Sequence, residues 1–123
     1  MKTSVLAIDD SRTIRTLLRQ ALEQDGFEVH VAEDGIDGIK KFDEIKPDVV
    51  ITDINMPNLD GFGVISQLRG SVHKTTVPIL VLTTESSAEL KNRARDLGAT
   101  GWIVKPFDDV ALVQVLRRVT GHV

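Results

Sequence analysis

Asp9, Asp10, Asp53, Thr83 and Lys105 each stand at the end of a short apolar run in this chain of 123 residues. When parallel strands lie side by side, the residues that end them gather at one edge of the sheet. Carboxylates, a hydroxyl and an ammonium brought together there are the groups that handle a phosphate. Such a cluster has an electrostatic problem, because two unit charges about 4 Å apart repel by roughly 4 kcal/mol at an effective dielectric near 20. Either one carboxyl keeps its proton or a divalent cation joins the cluster, and Lys105 adds only one positive charge. Mg2+ is the usual hard-oxygen partner where phosphate is the other ligand, and the metal is the preferred reading.

A carboxylate beside Mg2+, with a hydroxyl and an ammonium converging on it, can attack a phosphoryl group and form an aspartyl phosphate. That reaction asks mainly for in-line positioning and for cations on the phosphoryl oxygens. Asp53 is the nucleophile of choice because it ends a central run, Asp9 and Asp10 are the metal ligands, and Thr83 and Lys105 serve the phosphoryl oxygens. Taken singly these residues have plainer explanations. An Asp-Asp pair after a strand caps helices, a threonine closes turns and a lysine is normally solvated. Their joint placement at four run ends favours the chemical reading. Asp53 also follows a buried run directly, where an unpartnered acid is costly.

The positioning elements alternate between two periods. Residues 5–8, 29–32, 49–51, 79–82 and 103–104 are short aliphatic runs, most without polar alternation, as strands buried on both faces read. Between them lie helical patterns. Ser11 is a candidate N-cap for a helix carrying Ile14, Leu17, Leu18, Ala21 and Leu22, stopped by Asp25-Gly26. Further helices are expected over 35–45, ending before Pro47, over 62–68, stopping near Gly70, and over 109–119, capped by Asp108 or Asp109. Residues 87–97 offer only Leu90, Ala94 and Leu97 among charges, which predicts a weakly anchored helix. Five strands alternating with five helices make an α/β fold, a doubly wound five-stranded parallel sheet with right-handed crossovers, and the flavodoxin-like order 2-1-3-4-5 is its simplest form.

Composition narrows the function. The length suits one domain around one core. Fifteen Lys and Arg against eighteen Asp and Glu give a net charge of −3, which offers no basic field for nucleic acid. The lack of cysteine removes disulfides, thiolate metal sites and thiol catalysis, and agrees with a cytoplasmic location. The apolar run after Lys2 is cut by Asp9-Asp10 and reads as a strand, neither a leader nor a membrane anchor.

These residues resemble the receiver domain of two-component response regulators, and within it the stand-alone CheY-type chemotaxis regulators, over essentially the whole chain. The resemblance rests on Asp9-Asp10-Ser11-Arg12, on Asp53 followed by Met56-Pro57 and Asp60-Gly61, on Thr83, and on Lys105-Pro106-Phe107. CheY-type receivers share the (βα)5 order 2-1-3-4-5, so that order is not independent of the resemblance. It implies one receiver domain over residues 1–123 without an output domain. It also implies a phosphorylation-dependent binding module, rather than an enzyme with a separate substrate, that catalyses its own phosphotransfer and slow dephosphorylation.

The implied phosphodonor is the histidine of a partner kinase of the CheA type, and the implied acceptor is Asp53. Mg2+ would be held by Asp10, Asp53 and the backbone carbonyl of Asn55, with Asp9 assisting through water and the Lys105–Pro106 bond cis. Asn55 and Glu85 would flank the phosphoryl group and tune its hydrolysis. Thr84 stands where the family commonly has Ala or Gly, and would crowd the entrance to Asp53. Thr83 and Trp102 match the switch positions, although Tyr or Phe is commoner than Trp there and a fully buried ring of this size is hard to fit. His30, His73 and His122 read as surface residues. The expected target is a flagellar motor switch protein, with a phosphatase as a further partner and the chain itself monomeric. The competing readings are a phosphorelay shuttle or phosphate sink, and a Mg2+-dependent phosphohydrolase, against which stands the lack of an Asp-x-Asp signature.

Overall fold

Strand side chains alternate across a sheet, and here both faces are apolar. In the computed structural model, which describes residues 2–121, Val5 and Ala7 pack on one side and Leu6 and Ile8 on the other. The elements are β1 Ser4–Ile8, α1 Arg12–Gln24, β2 Glu28–Ala32, α2 Gly35–Ile45, β3 Val49–Thr52, α3 Gly61–Arg69, β4 Ile79–Thr83, α4 Ala88–Leu97, β5 Gly101–Val104 and α5 Asp109–Val119. All strands are parallel, in the order β2-β1-β3-β4-β5. This is the doubly wound, flavodoxin-like sheet that the sequence predicts.

One core layer joins Val5, Ala7, Val49, Ile51, Leu80 and Leu82 to Leu18 and Leu22 of α1 and Leu112 and Leu116 of α5. The other sets Leu6, Ile8, Val50, Ile79 and Val81 against Phe42, Ile65, Leu68 and Ala94 of α2, α3 and α4. The central strands β3 and β4 are buried throughout, whereas the edge strands β2 and β5 are only partly covered. β5 begins at Gly101, paired with Leu80 two residues before its apolar run, and so contains Trp102.

The expected caps are in place. Ser11 accepts from the Ile14 N–H at 3.3 Å and Asp108, rather than Asp109, from the Ala111 N–H at 3.2 Å. Lys46 ends α2 in the left-handed region at φ 53, consistent with the following proline's bias against right-handed helix. α3 starts at Gly61, where an added Cβ would collide with the carbonyl oxygen of Asp53. Only a glycine lets this helix begin against the backbone of the acid at the end of β3.

α4 is as thinly anchored in apolar terms as the sequence suggests, with Ala94 its one buried residue. Two arginines compensate. The Arg93 guanidinium lies 4.0 Å from the centre of the Phe62 ring, and Arg69 Nε donates to the Gly98 carbonyl at 3.0 Å. Among the described residues no helix is long and apolar enough to cross a membrane.

Candidate functional site

Parallel pairing sets the acidic residues side by side. The Asp53 N–H donates to the Ile8 carbonyl at 3.0 Å, carrying the β1–β3 ladder one step past Thr52 and fixing Asp53 beside Asp9. The Lys105 N–H donates to the Thr83 carbonyl at 2.8 Å, doing the same for β5 and β4. The residues that end β1, β3, β4 and β5 therefore meet at one edge, and the peptide between Lys105 and Pro106 is cis.

Lys105 Nζ bridges the two buried carboxylates, at 2.8 Å from Asp9 Oδ2 and 2.9 Å from Asp53 Oδ2. The other oxygen of each acid is held by backbone: Asp53 Oδ1 accepts from the Ile54 N–H at 2.6 Å and Asp9 Oδ1 from the Ser11 N–H at 2.8 Å. Asp10 is exposed. One carboxylate oxygen from each of Asp9, Asp10 and Asp53 lies within 4.8 Å of the others.

Among the described residues one ammonium, that of Lys105, pairs with these acids, and it does not balance the cluster. Burial pushes the Asp9 carboxyl above its ordinary 3.8, outweighing the hydrogen bonds from Lys105 and the Ser11 N–H that lower it, and the Asp53 charge adds to the rise. Desolvation pulls Lys105 down, but its bonds to Asp9 and Asp53 prevail and hold it above 10.5. Three carboxylates, an excess of negative charge and hard oxygen donors fit Mg2+.

Around the acids, the buried Thr83 hydroxyl accepts from the Glu85 N–H at 3.3 Å. Asn55 Nδ2 donates to Glu85 Oε1 at 3.2 Å, so the two expected tuning residues meet. Thr84 is exposed. Trp102 is half-buried, its indole N–H donating to the Glu85 carbonyl at 3.0 Å, which accords with the difficulty of burying so large a ring.

The histidines divide. His30 is half-exposed beside Glu28. His73 departs from the surface reading: it bonds Asp43 Oδ1 at 2.9 Å and stands edge-on to the Phe42 ring, its side chain 15% exposed. His122 lies outside the described residues.

Sequence reading passes over Asp34 and Asn58. Asp34 Oδ1 caps α2 through the Asp37 N–H at 2.8 Å while Oδ2 accepts from Asn58 Nδ2 at 2.7 Å. Asp34-Gly35 before a helical stretch was a legible cap signal; the tie across 24 positions was not.

An acidic crevice at the carboxyl edge of a doubly wound sheet, with a lysine bridging its two buried acids, defines a small α/β module built for phosphoryl chemistry. The chain belongs to the response regulator receiver domain family, whose model matches residues 5–117. Receiver domains accept phosphoryl from histidine kinases and bind Mg2+ at an acidic site.

Among solved structures, the chain is similar to the chemotaxis protein CheY4 of Vibrio cholerae, at 41% identity and a TM-score of 0.90 over 97% of this chain and 99% of that one. Among curated proteins it is similar to response regulator MprA of Mycobacterium tuberculosis, 37% identical over 96% of this chain and 49% of that protein. Regulatory protein AtoC of Escherichia coli is 34% identical over 93% of this chain and 24% of its own length. The chain thus spans half or less of the length of these curated relatives.

Proposed function

We propose that this protein takes a phosphoryl group from a partner histidine kinase onto Asp53 and then engages a target through its altered surface, with chemotaxis at the flagellar motor switch as the first candidate output. The observation that carries the reading is the convergence of Asp9, Asp10, Asp53, Thr83 and Lys105 on one sheet edge, with Lys105 within 2.9 Å of both buried acids. In the transfer an Asp53 carboxylate oxygen attacks phosphorus, a new O–P bond forms, the N–P bond to the donor histidine breaks, and the imidazole leaves with the electron pair.

Asp9, Asp10 and Asp53, with the carbonyl of Asn55, are the residues proposed to hold Mg2+. When bound, the ion supplies positive charge to the phosphoryl oxygens. The protein's own part is positional. The Ile54 N–H and Lys105 fix the plane of the Asp53 carboxylate, and the Lys105 ammonium and Thr83 hydroxyl stand ready as donors to the phosphoryl group. The reading takes residues 1–123 as one receiver domain, monomeric and cytoplasmic. The net charge of −3 supports a protein rather than nucleic acid as its direct partner.

The likeness to CheY4, at 41% identity and a TM-score of 0.90, supports the chemotaxis output. A second reading draws on the curated relatives, in which the matching receiver makes up 49% or 24% of a longer protein. Here the phosphorylated face would serve a target outside chemotaxis, or the chain would act as a relay or phosphate sink. The experiment is labelling with acetyl phosphate and Mg2+, followed by capture of partners by the phosphorylated protein and by Asp53→Asn. Binding of a motor-switch peptide by the phosphorylated form alone supports the first reading. Return of phosphoryl to a histidine protein without such binding supports the second, and absence of labelling on Asp53 overturns both.

A further inference from the structure

The loop 53–60 carries both the proposed phosphoacceptor and Asn55, yet Asn55, Pro57, Asn58 and Asp60 in it are exposed. Its far half is nonetheless fastened to the start of α2. Asp34 Oδ2 accepts from Asn58 Nδ2 at 2.7 Å, and the Gly35 N–H donates to the Leu59 carbonyl at 3.1 Å. Asn58 sits in the left-handed region at φ 70, a conformation that Asn tolerates better than most residues. A Cβ at Gly35 would collide with the Leu59 carbonyl, and a Cβ at Gly63 with the Leu59 side chain, so Leu59 is wedged between two glycines. The two bonds to Asp34 hold its carboxyl below the ordinary 3.8, the Asp37 N–H contributing most and Asn58 next.

We infer that Asp34 is a positioning residue for the metal-binding loop: through Asn58 it holds loop 53–60 against α2 and so sets where Asn55 presents its carbonyl and side chain to the Asp53 site. The inference rests on the proposed role of Asn55 and Asp53 toward Mg2+. An unfastened loop must be ordered each time the ion binds; bonds made directly to metal ligands are commonly worth about 10-fold or more in metal affinity, and an effect at the lower end of that range is expected for a bond that fixes the loop carrying one.

Three variants of the full chain test it. Asp34→Ser keeps a side-chain acceptor for the α2 cap but cannot reach Asn58. Asn58→Asp places two carboxylates together and breaks the bond from the other side. Asp34→Asn with Asn58→Asp reverses donor and acceptor, restores the bond and leaves the net charge unchanged.

Mg2+ affinity by calorimetry is expected to fall about 10-fold in each single variant and to return to within about threefold of the parent in the pair. Charge alone predicts otherwise, because Asn58→Asp adds a negative charge and would tighten cation binding. In the absence of metal, the Gly35 amide should exchange faster in both single variants and at the parental rate in the pair. Parental affinity in Asn58→Asp, or failure of the pair to recover, overturns the inference. Should the parent bind no Mg2+, or Asp53→Asn bind it equally well, the functional reading falls with the positioning role. The metal-free exchange of Gly35 then decides separately whether the clasp exists.

Discussion

The backbone of Glu85 is held from both sides: its N–H donates to Thr83 Oγ1 at 3.3 Å and its carbonyl accepts from the Trp102 indole at 3.0 Å. A hydroxyl drawn toward a phosphoryl group on Asp53 would leave the Glu85 N–H, loosening the residue on which Trp102 leans. Such a release would give a physical route from the acid to β5 without any change in the sheet.

Trp102 is the only tryptophan, so its fluorescence reports this route. Phosphorylation with acetyl phosphate and Mg2+ is expected to shift its emission, and Asp53→Asn should show no donor-dependent shift. Trp102→Phe removes the indole donor and should cost about 1 kcal/mol in denaturant unfolding. An emission spectrum that ignores phosphorylation would sever Trp102 from the switch.

Among the described residues Lys105 is the one ammonium between the two buried acids, with its side chain 10% exposed. Removing one partner of a buried ion pair is strongly destabilising, by about 3 kcal/mol or more. Lys105→Ala should therefore lose stability of this order without metal and recover part of it in Mg2+, which becomes the only counter-charge. Phosphorylation of the same variant should be slower. Stability equal to the parent in metal-free buffer would show that the bridge contributes nothing.

For Asp9 the direction of its titration fixes a sign. The folded carboxyl sits above its unfolded 3.8, so its contribution to stability is complete below that value and is lost as pH rises through the folded one. At pH 7 the metal-free protein carries an unfavourable charge there. Asp9→Asn should raise its Tm, and Mg2+ should stabilise the parent more than the variant. Protons and metal compete for the same oxygens, so parental Mg2+ affinity should weaken on acidification beginning above pH 3.8. Affinity independent of pH down to that value would contradict this.

Gly61 has no room for a side chain beneath the Asp53 carbonyl. Gly61→Ala is expected to cost about 1–3 kcal/mol from overpacking, and to slow phosphorylation because the displaced atom belongs to the acceptor residue. Unchanged thermal unfolding would show that α3 can shift freely.

Thr84 is exposed beside the buried Thr83. Thr84→Ala should speed labelling by acetyl phosphate about twofold to tenfold, since only a small steric barrier is removed. Equal or slower labelling would reject crowding at the entrance.

Local pattern along the chain carries much of this architecture. The aliphatic runs and 3.6-residue stripes specify five strands and five helices, and Ser11 and Asp108 cap helices by short-range bonds that their own neighbourhood supplies. The convergence of Asp9, Asp53, Thr83 and Lys105 was legible too, because parallel strands must deliver their carboxyl ends to one edge.

Tertiary structure alone decided the contacts between residues far apart in the chain. Lys105 bridging both acids, Asn55 meeting Glu85, Arg93 lying over Phe62 and Asp34 holding Asn58 each join separate elements. His73, read as a surface residue, packs on Phe42 and Asp43 for the same reason. A periodic pattern states which face of an element is buried, but not which long polar side chain reaches across from the next one. Those reaches depend on the register and spacing of packed layers, which exist only once the chain has folded.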